Sequence, residues 1–170
     1  VLEGKELVPS NLREAKHRGL AFVPEDRKAQ GLIGDLSVKD NLTITVLDKI
    51  SNNNVLDAEK EASAATRQVR QTNIKTSSLD ASVNSLSGGN QQKVVLGKWL
   101  ATEPKVLLLD EPTRGVDVGA KAEILALLEN LASRGAGIIL VSSELEEVVT
   151  ASDRVLVMCN GRIVDEFPKG

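Results

Sequence analysis

Two stretches of the chain carry residue types whose chemistry goes beyond packing. The first is Ser87-Gly88-Gly89-Asn90, followed by Gln91, Gln92 and Lys93. A serine and two glycines there open a helix predicted to run to about Thr102. The glycines let backbone N–H groups approach an anion, and the helix N-terminus adds partial positive charge, so the tip suits a phosphate. The same residues also read as a plain serine N-cap on a glycine-rich turn. The second stretch is the apolar run Val106–Leu109, then Asp110, Glu111, Pro112 and Thr113. Two carboxylates at the C-terminal end of a buried parallel strand occupy the edge where open α/β sheets bind ligands. Asp110 is placed to hold Mg²⁺ through water, because that ion keeps much of its hydration. Glu111 is placed to orient or deprotonate an attacking water. An acidic turn at a strand end is the bland alternative.

These side chains need elements to aim them. Val1–Val8 reads as the end of a hairpin turning at Glu3, Gly4 and Lys5. A short helix starts at Pro9-Ser10, carries Lys16, His17 and Arg18 in its last turn, and stops at Gly19. Leu20–Val23 is a short buried strand, and Glu25–Gly34 a charged loop. Residues 35–95 read as a mainly helical insertion. Ser37 and Asp40 form a capping box, Ser51–Asn54 is a polar turn, and Asp57 caps a helix to about Gln71. From residue 104 onward strands alternate with helices. The strand Val106–Leu109 is buried on both faces. A helix from Gly119 to Ser133 puts Ile124, Leu127, Leu128 and Leu131 on one side. Ile138–Val141 is a second buried strand, Glu144–Thr150 a helix, and Arg154–Met158 a third strand that turns at Asn160-Gly161. That order predicts an α/β fold with a mainly parallel sheet flanked by helices and a terminal hairpin.

Composition narrows the function classes. The net charge is −3 and the pI about 5.3, which opposes a basic nucleic-acid footprint. Phe22, Trp99 and Phe167 are the only aromatics, too few for a base-stacking platform. Cys159 is alone, so no internal disulfide forms and a reducing cytoplasm fits. No apolar run approaches the roughly 18 residues of a membrane span. Any role at a membrane is expected through a partner. His17 reads as a solvated helix-end charge, Trp99 as packing, and Glu146 and Glu147 as surface residues.

Taken together and in this order, the glycine-rich helix start, Glu103-Pro104 and the strand ending Asp110-Glu111-Pro112-Thr113 resemble the ABC ATPases. There the first motif is the ABC signature and the second is Walker B, and Arg114–Asp117 resembles the D-loop. Val23–Lys28, the Asn90–Lys93 ending, Asp110–Gly115 and Ser142–Leu145 narrow the resemblance to one branch. It is that of sugar importers with two nucleotide-binding halves in one polypeptide, such as those for ribose, galactose, xylose and autoinducer-2. The similarity is to the second half. It implies a remnant of the N-terminal core over residues 1–34, a helical signature subdomain over 35–95, and a RecA-like core over 96–170. It implies ATP and Mg²⁺ as cofactors, and as partners the N-terminal half of the same protein and a membrane permease. It further implies a cytoplasmic place at the inner face of the cell membrane.

The resemblance also defines departures. No G-x-x-x-x-G-K-[ST] cradle occurs, and Gly115–Ala122 is a near miss whose last position lacks the hydroxyl. The family places that cradle upstream of Val1, so the chain is expected to lack its first strands and to be inactive alone. Glu25 stands where the Q-loop glutamine would be, and an ionised carboxylate only accepts hydrogen bonds. Ser143 stands where the switch histidine would be, without an imidazole's charge. The site built on Asp110 and Glu111 is therefore expected to be impaired, while Ser87, Gly88, Gly89 and Asn90 serve ATP held by the other half, with Asp117 beside them. Two alternatives are a DNA-repair or chromosome-maintenance ABC ATPase and a non-catalytic dimerisation module. The absence of sustained heptads and of basic charge disfavours the former.

Overall fold

A computed structural model describes residues 1–4 and 6–168. Glu3 and Gly4 hold left-handed φ of 50° and 76°, so the chain turns there. Lys5, the third residue of the expected turn, lies outside the described residues. Helix α1 (Leu12–His17) starts where the Asn11 side chain accepts the Glu14 N–H. It ends before Gly19, whose φ of 86° is open to glycine without a Cβ penalty. Strand β1 (Leu20–Val23) follows. The charged loop expected next is partly ordered: Arg27–Gly31 forms a single π-turn, capped by Asp26, whose carboxylate accepts the Lys28 and Ala29 amides. Five residues are too few to show a period in sequence.

The helical part opens with the predicted capping box. Ser37 accepts the Asp40 N–H, and the Asp40 carboxylate accepts the Ser37 N–H. Helix α2 (Val38–Thr43) then tightens into a 3₁₀ turn at Ile44–Val46 before the short α3 (Leu47–Ile50). The β-branched run Thr43–Val46 explains that break, because such side chains crowd the preceding turn. Ser51–Asn54 is more than a turn: β2 (Ser51–Asn52) and β3 (Val55–Leu56) pair around Asn53 and Asn54, both left-handed. Helix α4 (Ala58–Gln71) is capped by Asp57 as expected. After an irregular stretch, α5 (Gly88–Leu100) follows and is buried almost throughout. It runs unbroken past residues 95 and 96, joining the helical part to the sheet.

The sheet is built from β1, β4 (Val106–Asp110) and β5 (Gly137–Val141), all parallel, with β4 in the centre. Helix α6 (Val118–Ser133) connects β4 to β5, and α7 (Leu145–Ala151) follows β5. One face of the sheet presents Ala21, Val23, Leu107 and Leu109 to the core around α5 and α6. Each of the valine and leucine side chains contributes about 1.5–3 kcal/mol through burial. The other face is open among the described residues: Phe22, Ile139 and Val141 are 47%, 58% and 55% exposed. The expectation of strands buried on both faces is therefore corrected for β4 and β5. A continuous apolar run has the same composition whether one face or both are covered. The third expected strand also does not join the sheet. β6 (Arg154–Cys159) pairs instead with β7 (Arg162–Pro168), antiparallel across the Asn160-Gly161 turn. The result is an α/β fold with a parallel sheet, flanking helices and a C-terminal hairpin.

Candidate functional site

The tip of α5 is shaped by what lies behind it. Ser87 is exposed and caps the helix, its Oγ accepting from Asn90 N at 3.4 Å and Asn90 Nδ2 at 3.0 Å. The Asn90 Oδ1 in turn accepts the Lys75 N–H at 2.7 Å, which pins the irregular stretch before α5 to the tip. Gly89 is buried against α6, where an added Cβ would stand 2.3 Å from the Ala120 Cβ. At Gly88 an added Cβ would stand 2.9 Å from Arg27 Nη2 and 3.3 Å from the Gly115 carbonyl. Close approach within the chain thus requires the glycine at 89, whereas at 88 it leaves room for the Arg27 guanidinium. The serine hydroxyl faces outward, beside a helix end whose first amides lack intrahelical partners.

At the end of β4 the chain leaves the sheet through Glu111, which adopts a left-handed φ of 47°. That conformation is uncommon for a non-glycine residue and clusters at functional turns. The Glu111 N–H donates to the Val141 carbonyl at 2.9 Å, so the turn stays tied to β5. The Ser143 Oγ donates to Glu111 Oε2 at 3.2 Å. Asp110, in register with Val141, shares the side of β4 that carries Val106 and Leu108. Below them lies Glu147, 3% exposed, which accepts the Thr113 hydroxyl at 2.7 Å and the Ser142 hydroxyl on its other oxygen. Glu144 pairs with Lys121, and that pairing holds the lysine above its ordinary value.

Asp117 caps α6, its Oδ1 accepting the Ala120 N–H at 2.9 Å, while Oδ2 would be 3.6 Å from a Cβ on Gly89. It therefore sits beside the α5 tip. Glu25 pairs with the Arg114 guanidinium across a cleft of about 360 Å³ lined by Glu25–Lys28, Arg114 and Gly115. The structure brings the sequence candidates into two neighbouring groups. Ser87–Asn90 and Asp117 form one, with Glu25 at its edge. Asp110, Glu111 and Ser143 form the other. The turn from Glu111 to Arg114 links them, with the Arg114 N–H donating to the Glu111 carbonyl at 3.1 Å.

Two contributors escaped the sequence reading. Arg27 donates to the Arg114 and Gly115 carbonyls at 3.0 and 3.3 Å. Glu147, expected at the surface, is buried beneath the acidic turn. Its partner Thr113 could not be inferred from local sequence, because it lies 34 residues away. The adjacent carboxylates Asp110 and Glu111 suit a hard cation that takes one or two protein oxygens and completes its shell elsewhere. Among the described residues no group of three or more His, Cys, Asp or Glu gathers to hold a metal alone.

The ABC transporter family profile matches residues 1–114. The chain is 48% identical over 168 residues to the xylose import ATP-binding protein XylG of Geobacillus kaustophilus, covering 99% of the chain and 33% of that protein. It is 51% identical over 164 residues to the ribose import ATP-binding protein RbsA 2 of Rubrobacter xylanophilus, covering 96% and 32%. The chain thus spans about a third of the length of the curated relatives it matches. Among solved structures, the ATP-binding cassette MJ0796 bound to ADP and Pi has the same fold, with a TM-score of 0.74 at 22% identity over 93% of this chain and 67% of that one. The cbiO1 protein of Clostridium perfringens, part of an ABC transporter complex, gives a TM-score of 0.72 at 27% identity, covering 90% and 58%. With the family profile matching well over half the chain, the chain belongs to the ABC transporter family.

Proposed function

We propose that this chain is part of the ATP-binding, energy-coupling component of a carbohydrate importer, and that its main contribution is made in trans. In this reading the helical part, residues 35–95, presents Ser87, Gly88, Gly89 and Asn90 to ATP held on the N-terminal half of the same polypeptide. The observation that carries it is the exposed Ser87 hydroxyl at a helix tip braced from behind by Ala120 and Arg27. A braced tip needs no reorganisation when charge develops on a phosphate, which is the basis of electrostatic preorganisation. The relatives' names supply the sugar-import context, and their greater length leaves room for a second half. A membrane permease is the partner that movement of this subunit would drive; no described helix is long and apolar enough to span a membrane.

The acidic turn of residues 96–170 supplies the second role. Mg²⁺, when bound, neutralises phosphate charge, and Asp110 would hold it through water. Glu111 is the base that orients or deprotonates water. Ser143 has one proton, and donating it to Glu111 leaves none for a phosphate oxygen. Glu25 is likewise engaged with Arg114. Hydrolysis on this half's own acidic pair is therefore slow in our reading, and without a phosphate cradle the isolated chain turns over no ATP.

The test is Ser87→Asp in the full-length polypeptide. Aspartate caps a helix about as well as serine, so folding is retained. The added charge repels phosphate, and turnover falls at least about 100-fold, the scale of losing a key oxyanion contact. Unchanged turnover would overturn the assignment.

A further inference from the structure

We propose that Arg27 is a positioning residue: its guanidinium clamps the loop at 114–117 against the tip of α5, so that Ser87 and Asp117 are presented as one surface. The inference rests on the reading of Ser87–Asn90 as the phosphate-facing tip. Arg27 uses both terminal nitrogens on two successive carbonyls, at 3.0 Å to Arg114 and 3.3 Å to Gly115. A planar fork makes that paired contact, and a lysine ammonium cannot reproduce it. The same guanidinium lies where any side chain on Gly88 would go, 2.9 Å from the position of its Cβ. Gly115 has a φ of 66°, which lets its carbonyl turn toward the arginine. The Nε is buried with no hydrogen-bond partner among the described residues, so the group's polar contacts are the two carbonyls.

Arg27 is itself held from behind. It opens the π-turn capped by Asp26, and such turns recur at functional positions. At the other end of that turn Gly31 packs against α5, its absent Cβ 2.9 Å from Val95 Cγ2, and its carbonyl accepts the buried Lys98 ammonium. The turn is thus a strut from the middle of α5 back to its own tip. Glu25 adds a second tie by gripping the Arg114 side chain while Arg27 holds the Arg114 backbone.

The experiment is amide hydrogen exchange on the intact polypeptide carrying Arg27→Met, which keeps an unbranched side chain and removes the donors. The Arg114, Val116 and Gln91 amides, now bonded to the Glu111, Thr113 and Ser87 carbonyls, exchange about tenfold faster, the factor that ~1.4 kcal/mol produces. Amides of α4 keep their rates. Arg27→Lys, with one ammonium for two carbonyls, gives an intermediate change. Rates within twofold of the parent, or an equal rise in α4, would overturn the clamp. Exchange is read without nucleotide, so its failure is distinguishable from a failure of the Ser87→Asp test. A clamp seen alongside unaltered Ser87→Asp turnover would leave the positioning intact and remove its phosphate.

Discussion

Gly89→Ala asks whether the glycine pair is needed for ligand approach alone or also for packing. The added methyl would start 2.3 Å from the Ala120 Cβ. Carbon atoms in contact prefer about 3.5–4.0 Å, so the two helix starts must separate by more than an ångström. Overpacking of this kind costs about 1–3 kcal/mol. Alanine's helix propensity returns up to about 1 kcal/mol, less near a helix end. The net destabilisation is therefore about 1–2 kcal/mol, or a fall of roughly 2–8 °C in Tm for a chain of this size. Ala120→Gly restores the room from the opposite side. In a double-mutant cycle followed by urea unfolding, the two changes couple favourably by at least about 1 kcal/mol. In the full-length polypeptide the single variant also loses turnover, and the pair recovers most of it. Additivity within about 0.5 kcal/mol would refute the reasoning, because independent sites behave that way.

Two further outcomes follow from the same geometry. Glu147→Leu strands the Thr113 and Ser142 hydroxyls and costs about 1–3 kcal/mol in chemical denaturation, whereas Glu147→Gln, which can still bond both, costs less than half as much. Equal losses would show that the carboxylate's charge, and not its hydrogen bonding, holds the turn. For pH, the Lys60 and Glu59 amides and the Lys60 ammonium hold the Asp57 carboxyl below its ordinary range, and Lys93 does the same for Glu123. A carboxyl depressed in the folded state contributes stability that is present above its unfolded value and lost as pH falls through the folded one. Urea midpoints should therefore drop as pH falls from about 5 toward 3, and Asp57→Asn, which retains a cap without titrating, should flatten part of that slope. An unchanged slope would remove Asp57 from the acid transition.

What the sequence made legible was local. Ser37, Asp57 and Ser87 signal helix starts because a cap acts within three residues, and each is found as a cap. Gly19 and Asn160-Gly161 signal turns through backbone conformations that few residues tolerate. The candidate site was legible as two motifs, and the fold sets them side by side. What stayed hidden depends on distant partners. Arg27 meets carbonyls 87 and 88 residues away, so in sequence it is one charge in a charged loop. Glu147 looked like its neighbour Glu146 until Thr113 and Ser142 surrounded it. The departure of β6 from the sheet turned on a competition between a nearby hairpin partner and a distant sheet edge, which strand composition does not decide.

Helix α5 has one more consequence. Its 13 residues make a rod of about 20 Å, enclosed by the helical part along one stretch and by the sheet along the next. A rod held along its length by both parts shares any displacement of its serine end between them, so the helical part and the sheet cannot shift independently at this helix.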